Sequence, residues 1–227
     1  MVDCLDEAPE TARQALLERV AAEIRETGEA TGCCELSGRV WHALAAVPRH
    51  RFVPDEQQKW AYANTPLPIG RGQTISQPFI VALMTELLAP APGATLLEIG
   101  TGSGYQAAVL AQLVRQVYSI ERIPELARAA AQRLRELSID NVEIRVGDGA
   151  QGWKEHAPFD GIMVTAAALA VPPALVQQLK PGGRLVIPVG APGQTQDLQV
   201  IDKDQQGAVF SRSLLPVVFV PLIQSPA

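Results

Sequence analysis

The stretch Leu96-Leu97-Glu98-Ile99-Gly100-Thr101-Gly102-Ser103-Gly104 joins an apolar strand to three closely spaced glycines and then to a helix-forming segment beginning at Tyr105. Glycine lacks Cβ, so a ligand can come close to the backbone, and the first turn of the following helix offers unpaired N–H groups. Such a turn either holds a nucleoside cofactor or is a plain tight connection. The spacing here is G-x-G-x-G, and Tyr105 stands where the dinucleotide fingerprint G-x-G-x-x-G would place its third glycine. NAD is therefore the weaker of the nucleoside readings.

From Thr95 onward, short apolar runs alternate with helical patterns, the signature of βαβ units around a mostly parallel sheet. Strands are expected at Thr95 to Ile99, Gln116 to Glu121, Val142 to Val146, Asp160 to Val164, Arg184 to Val189, Leu198 to Asp202 and Leu214 to Leu222. In the first crossover Ala107, Leu110, Ala111 and Val114 recur at helical spacing. In the second, Leu126, Ala130, Leu134 and Leu137 do so, while Arg128, Arg133 and Arg135 mark a wet face. The last two strands are joined only by Lys203 to Gly207, too short for a parallel crossover, so they pair antiparallel. The expected fold is α/β: a Rossmann-like, doubly wound, seven-stranded, mostly parallel sheet with a C-terminal antiparallel pair and extra N-terminal helices.

Leu16, Val20 and Ile24 form an apolar stripe, and a second helix is expected over Ser37 to Ala46. Between Pro48 and Pro78 the chain is rich in Pro, Gly and polar residues and reads as a long irregular loop of functional kind. One domain over 1–227 is expected, with 1–94 forming helices and a substrate-side loop and 95–227 the cofactor-binding core and terminal strands.

With 227 residues, 47% of them hydrophobic, the chain can bury one sizeable core. The acidic start Met1-Val2-Asp3-Cys4-Leu5-Asp6-Glu7 has neither a basic n-region nor an apolar h-region, and no apolar run approaches a membrane span. A cytoplasmic protein with no membrane partner is expected. Three cysteines, two of them the adjacent Cys33 and Cys34, fit neither a disulfide framework nor zinc-ligand spacing. His42, His50 and His156 are scattered, so no metal is expected. A net charge of -5 gives no footprint for a polyanion, and nucleic acid is not expected as a partner. A monomer is the working expectation.

Glu121 closes the second core strand about twenty residues past the glycines, where an acid can accept both hydroxyls of a ribose. Gly147-Asp148-Gly149 follows the third strand in the same way and places a carboxylate near an adenine amino group, although these residue types also favour a plain turn. Ser76 precedes Pro78 and an apolar helix containing Ile80, Leu83, Met84 and Leu87, which is also how a helix N-cap looks.

Glu98, Glu121 and Asp148 around a G-x-G-x-G loop resemble the motif set of class I S-adenosylmethionine-dependent methyltransferases. Within that superfamily, Leu67-Pro68-Ile69-Gly70-Arg71-Gly72-Gln73-Thr74-Ile75-Ser76-Gln77-Pro78 is similar to the hallmark of the protein-L-isoaspartate (D-aspartate) O-methyltransferases. The similarity continues through Val47 to Pro54, Gly147 to Gly149, Val164 to Ala167, Leu179 to Arg184 and Phe219 to Leu222, and leaves the part before about Leu36 uncovered. Departures fall at Ala63-Asn64, Ala150 and Ala168-Leu169.

The resemblance implies methyl transfer from S-adenosylmethionine to the free carboxylate of L-isoaspartyl residues in damaged proteins and peptides, with D-aspartyl residues as a further acceptor and S-adenosylhomocysteine as product. It implies cofactor contacts from Glu98, Gly100, Thr101, Gly102, Ser103, Gly104, Glu121, Asp148 and Gly149. Ser76 corresponds to the active-site serine, and Thr74, Ile75, Ser76, Thr165, Ala166, Ala167 and Val220 to the acceptor side. Isoaspartyl proteins are the implied partners. An acceptor with a reference pKa near ~4 is ionised at neutral pH, so a strong general base is not required. A small-molecule carboxyl O-methyltransferase and a non-catalytic S-adenosylmethionine-binding module remain alternatives, since fold does not fix function.

Overall fold

A computed structural model describes residues 7–223. Cys4 and the acidic start at residues 1–6 lie outside the described residues. The helices are α1 (Glu7–Glu26), α2 (Gly28–Thr31), α3 (Gly38–Ala46), α4 (Pro78–Leu88), α5 (Tyr105–Ala111), α6 (Pro124–Glu136) and α7 (Pro173–Gln177). The strands are β1 (Leu67–Gly70), β2 (Gln73–Ile75), β3 (Thr95–Ile99), β4 (Gln116–Glu121), β5 (Val142–Val146), β6 (Phe159–Val164), β7 (Leu179–Val189), β8 (Gln196–Lys203) and β9 (Val209–Val217). Strands β3 to β9 form one seven-stranded sheet in the order β5-β4-β3-β6-β7-β8-β9. The first five in that order pair parallel, and β8 pairs antiparallel with both β7 and β9. This is the expected α/β sheet with its antiparallel C-terminal pair.

The central strand β3 is buried on both sides because both sides are covered. Successive side chains alternate: Leu96 joins the cluster beneath α1, α3, α4 and α5, while Leu97 and Ile99 join the opposite one with Trp153, Phe159 and Leu175 of α7. The chain moves outward from β3 to β4 and β5, then returns across β3 to β6. The reversal opens a crevice at the carboxyl ends of β3, β4 and β6, the switch-point position where such sheets bind ligands.

Several expectations are corrected. The segment from Pro48 to Pro78 is not an irregular loop: two 3-10 turns, Arg49–Phe52 and Asp55–Trp60, lead into the hairpin β1-β2. Strands of four and three residues are too short to show periodicity, which explains why the pattern is silent there. Strand β9 runs over Val209–Val217, not Leu214 to Leu222. Beyond it the chain leaves the sheet and bonds to the end of β6, with Ala167 N donating to Val220 O and Leu222 N to Ala167 O, both at 2.8 Å. Arg133, expected on a wet face, is half-buried and donates through Nη1 to Ser103 O at 2.6 Å.

Ser76 is not the cap of α4. Gln77 holds that position and makes no side-chain cap bond. Asn64 reaches across instead, its Oδ1 accepting from Phe79 N at 3.0 Å. A partner from another segment thus satisfies one of the unpaired N–H groups of the first turn.

Candidate active site

The crevice is floored by the turn that follows β3. Gly100 has φ +96°, and a Cβ there would stand 2.5 Å from Thr165 Oγ1, so both conformation and space require glycine. Thr165 sits just past β6 and shares its hydroxyl proton between Gly100 O (2.7 Å) and Ile99 O (3.0 Å), tying the ends of β3 and β6 together. At Gly149 the need is close approach: a Cβ would overlap Ile99 Cγ2.

Glu121 ends β4 and is 5% exposed. Its Oε2 accepts from Gly102 N at 2.7 Å and its Oε1 from Ile123 N at 2.9 Å, so one carboxylate fixes the glycine turn and the start of α6 together. Each carboxylate oxygen has two lone pairs, which leaves one apiece directed to other donors such as vicinal hydroxyls.

Glu98 is fully buried behind the turn. Ser119 Oγ donates to its Oε2 and bonds Thr101 Oγ1 at 2.6 Å, while Glu98 Oε1 has no hydrogen-bond partner among the described residues. Burial pushes this carboxyl up to about 8; the Ser119 hydrogen bond pulls the other way, and the Glu121 charge adds to the rise. From about pH 4.5 to 8 the unfolded chain has released this proton while the folded chain holds it. Stability therefore falls as pH rises through that window, by at most about 1.4 kcal/mol per pH unit, and levels off above it. Glu98→Gln, which has no proton to lose, is expected to flatten this slope. Parallel thermal melts of both proteins at pH 5, 6.5 and 8 check it, and identical slopes would contradict the assignment.

The cavity above the turn spans about 790 Å³ including its open mouth. It gathers Thr74, Ile75 and Ser76 from the end of the hairpin, the turn residues Gly100, Thr101, Gly102 and Ser103, and Glu121, Gly149, Thr165, Ala166 and Val220. Glu98, Gly104, Asp148 and Ala167 do not line it. Asp148 accepts from Ala150 N at 3.0 Å and so shapes the turn that presents Gly149. Tyr105 and Gln106, at the start of α5, also line the cavity, although their spacing carries no signal beyond the missing third glycine.

Arg49 is a further residue that the pattern did not single out, although it lies in the quoted Val47 to Pro54 stretch. It is 1% exposed, donates from Nε to Ala61 O at 2.9 Å, and lies 5.1 Å from the Tyr105 ring centroid. Burial lowers its pKa to about 10, against the opposing influence of Tyr105, so it stays charged at neutral pH. Phe52 packs edge-on against the same ring. The segment leading into the hairpin is thereby docked onto the helix that follows the glycine turn.

A second groove adjoins the first. It is lined by Glu23 of α1, by Phe79 and Ile80 of α4, and by residues 215–220. Thr74, Ser76, Thr165 and Val220 line both cavities.

Comparison with known proteins places this architecture. The family described as Protein-L-isoaspartate(D-aspartate) O-methyltransferase (PCMT) matches residues 24–227. The chain belongs to this family. A Syntrophobacter fumaroxidans protein named Protein-L-isoaspartate O-methyltransferase 2 is 55% identical over 221 residues, covering 97% of this chain and 90% of its own. One of the same name from Polaromonas sp. is 56% identical over 207 residues, covering 91% and 98% respectively. Among solved structures, a Plasmodium falciparum protein-L-isoaspartate O-methyltransferase in complex with S-adenosyl-L-homocysteine superposes with a TM-score of 0.78 at 26% identity, over 94% of this chain and 99% of that one. The PCMT match begins at residue 24, so most of α1 lies outside it. Among the described residues no helix is long and apolar enough to cross a membrane.

Proposed function

We propose that this PCMT-family chain methylates the free carboxylate of L-isoaspartyl residues, and of D-aspartyl residues, in damaged proteins and peptides, using S-adenosylmethionine and releasing S-adenosylhomocysteine. One observation carries the geometry: the glycine-floored cavity and the second groove meet at a wall of Thr74, Ser76, Thr165 and Val220. A donor in one and an acceptor in the other meet only across that wall. Gly100 and Gly149, whose Cβ positions are taken by Thr165 and Ile99 so that bare backbone lines the cavity, and the two-oxygen acceptor Glu121 fit an adenosyl group.

When bound, S-adenosylmethionine supplies an electrophilic methyl on a sulfonium. The glycine turn and Gly149 would hold the nucleoside by close backbone approach, with Glu121 on the ribose hydroxyls. Glu98, Gly104 and Asp148 would act on the cofactor through the turns they shape. Ser76 would donate to one oxygen of the acceptor carboxylate, with Thr74, Ile75, Thr165, Ala166, Ala167 and Val220 confining it. Ser76 stands two residues ahead of the eleven-residue helix α4, whose amino end favours an anion. The acceptor arrives ionised, so the residues present orient and desolvate and need not remove a proton. The methyl ester made carries methoxide, a far better leaving group than the oxide of a carboxylate; the neighbouring backbone nitrogen attacks the ester carbonyl and expels methanol to form a succinimide, whose hydrolysis yields some normal aspartate without an enzyme.

In this reading residues 1–94 supply the acceptor side and 95–227 the donor side of one domain, and the protein works as a cytoplasmic monomer without nucleic acid, membrane or metal. The free thiols of Cys33 and Cys34 suit a reducing compartment.

The test is incubation with labelled methyl donor and two matched peptides, one isoaspartyl and one normally linked. Label in the first alone is expected; label in both, or in neither, would overturn the reading. Ser76→Ala should stay folded and bind S-adenosylhomocysteine. Its kcat/KM for the isoaspartyl peptide should fall about 12- to 150-fold, the worth of one hydrogen bond to a charged acceptor at about 1.5–3 kcal/mol.

A further inference from the structure

The second groove contains a charge that the transfer chemistry does not use. Its walls are apolar or neutral around Phe79, Ile80, Leu215 and Phe219, and among the described residues Glu23 is the one ionisable side chain lining it. Glu23 is half-buried near the end of α1, just outside the span shared with the PCMT family. It is fixed in place: Asn64 Nδ2 donates to its Oε2 at 2.6 Å while Asn64 Oδ1 accepts from Phe79 N at 3.0 Å. One side chain thus couples Glu23 to the first turn of α4, three residues after Ser76. Its Oε1 has no hydrogen-bond donor among the described residues.

A carboxylate held beside the place where an anionic acceptor must bind is unfavourable unless a cation lies nearby, because like charges in a partly desolvated groove repel. With the acceptor reading of this groove as its basis, we propose that Glu23 is a specificity residue selecting isoaspartyl sites flanked by lysine or arginine and disfavouring those flanked by acids. A flanking ammonium or guanidinium would sit against the open oxygen of Glu23 and also offset the acceptor's own charge. The apolar walls would accommodate the aliphatic stem of such a side chain. α1 thereby reads the neighbourhood of the damage while the hairpin reads the damage itself.

The experiment uses three isoaspartyl peptides of one length, with both neighbours of the isoaspartyl residue set to Lys, Ala or Glu, and measures KM and kcat for each. For the wild-type chain at low salt, KM should rise in the order Lys, Ala, Glu with a total spread of about tenfold, and the spread should shrink in 0.5 M NaCl. Glu23→Gln, which keeps an oxygen for Asn64 Nδ2, should contract the spread to within about twofold, and Glu23→Lys should reverse the order. A purely structural role for Glu23 would shift all three peptides together and leave their ratios alone, which would overturn the proposal. So would a wild-type KM indifferent to flanking charge or a spread insensitive to salt, neither of which requires a variant to fold. Failure of the wild type to methylate any of the three would instead overturn the acceptor assignment.

Discussion

Gly100→Ala is expected to abolish measurable binding of S-adenosylhomocysteine and to lower the melting temperature. Two costs combine. The alanine must adopt φ near +96°, a region that costs an L-residue about 1–3 kcal/mol. Its Cβ must also displace Thr165 Oγ1 from 2.5 Å, which breaks the hydroxyl bonds to Ile99 O and Gly100 O joining β3 to β6. Relief of either strain moves the floor of the cavity. Adding Thr165→Gly should recover part of the melting temperature, since it removes the overlap, but little of the binding, since the φ penalty and the lost tie remain. Calorimetric titration and thermal melts on the two variants check this, and wild-type affinity in Gly100→Ala would contradict the close-approach assignment.

Glu121→Gln should weaken the cofactor by about 12- to 150-fold, the equivalent of losing one charge-assisted hydrogen bond at about 1.5–3 kcal/mol. The substitution is isosteric but not equivalent. Both oxygens of Glu121 accept from backbone N–H groups, Gly102 on one and Ile123 on the other. An amide has only one oxygen, so its NH2 must face one of those donors. The glycine turn or the start of α6 then shifts, and the remaining lone pairs no longer point together at a diol. Titration with S-adenosylhomocysteine measures the effect, and an unchanged dissociation constant would remove Glu121 from the cofactor site.

The parallel core was legible because its inner strands β3 and β6 are buried on both faces and read as largely apolar runs of five and six residues, while the edge strand β5 shows the alternation of Val142, Ile144 and Val146. Glycines and acids at the strand ends fall where the sheet topology places a crevice. The hairpin β1-β2 was legible as a motif and invisible as structure, because seven strand residues around Arg71 and Gly72 carry no period. Asn64 gave no capping signal since it lies fourteen residues before the helix it caps. Glu98 is the instructive case: its place in the motif marks it for cofactor contact, and only three dimensions show it one layer back, reaching Thr101 through Ser119. Glu23 was unreadable for a similar reason, since only the packing of α1 against α4 brings it to the groove.

The residues after β9 wall both compartments although they add nothing to the sheet. They hang on Ala167 through two backbone bonds and on Gln196 through Phe219 N at 2.8 Å. Proteolytic clipping after Val217 would therefore leave a chain whose circular dichroism and fluorescence look intact but whose turnover is gone. For a repair enzyme, gel mobility would then be a truer index of competence than any measure of folding.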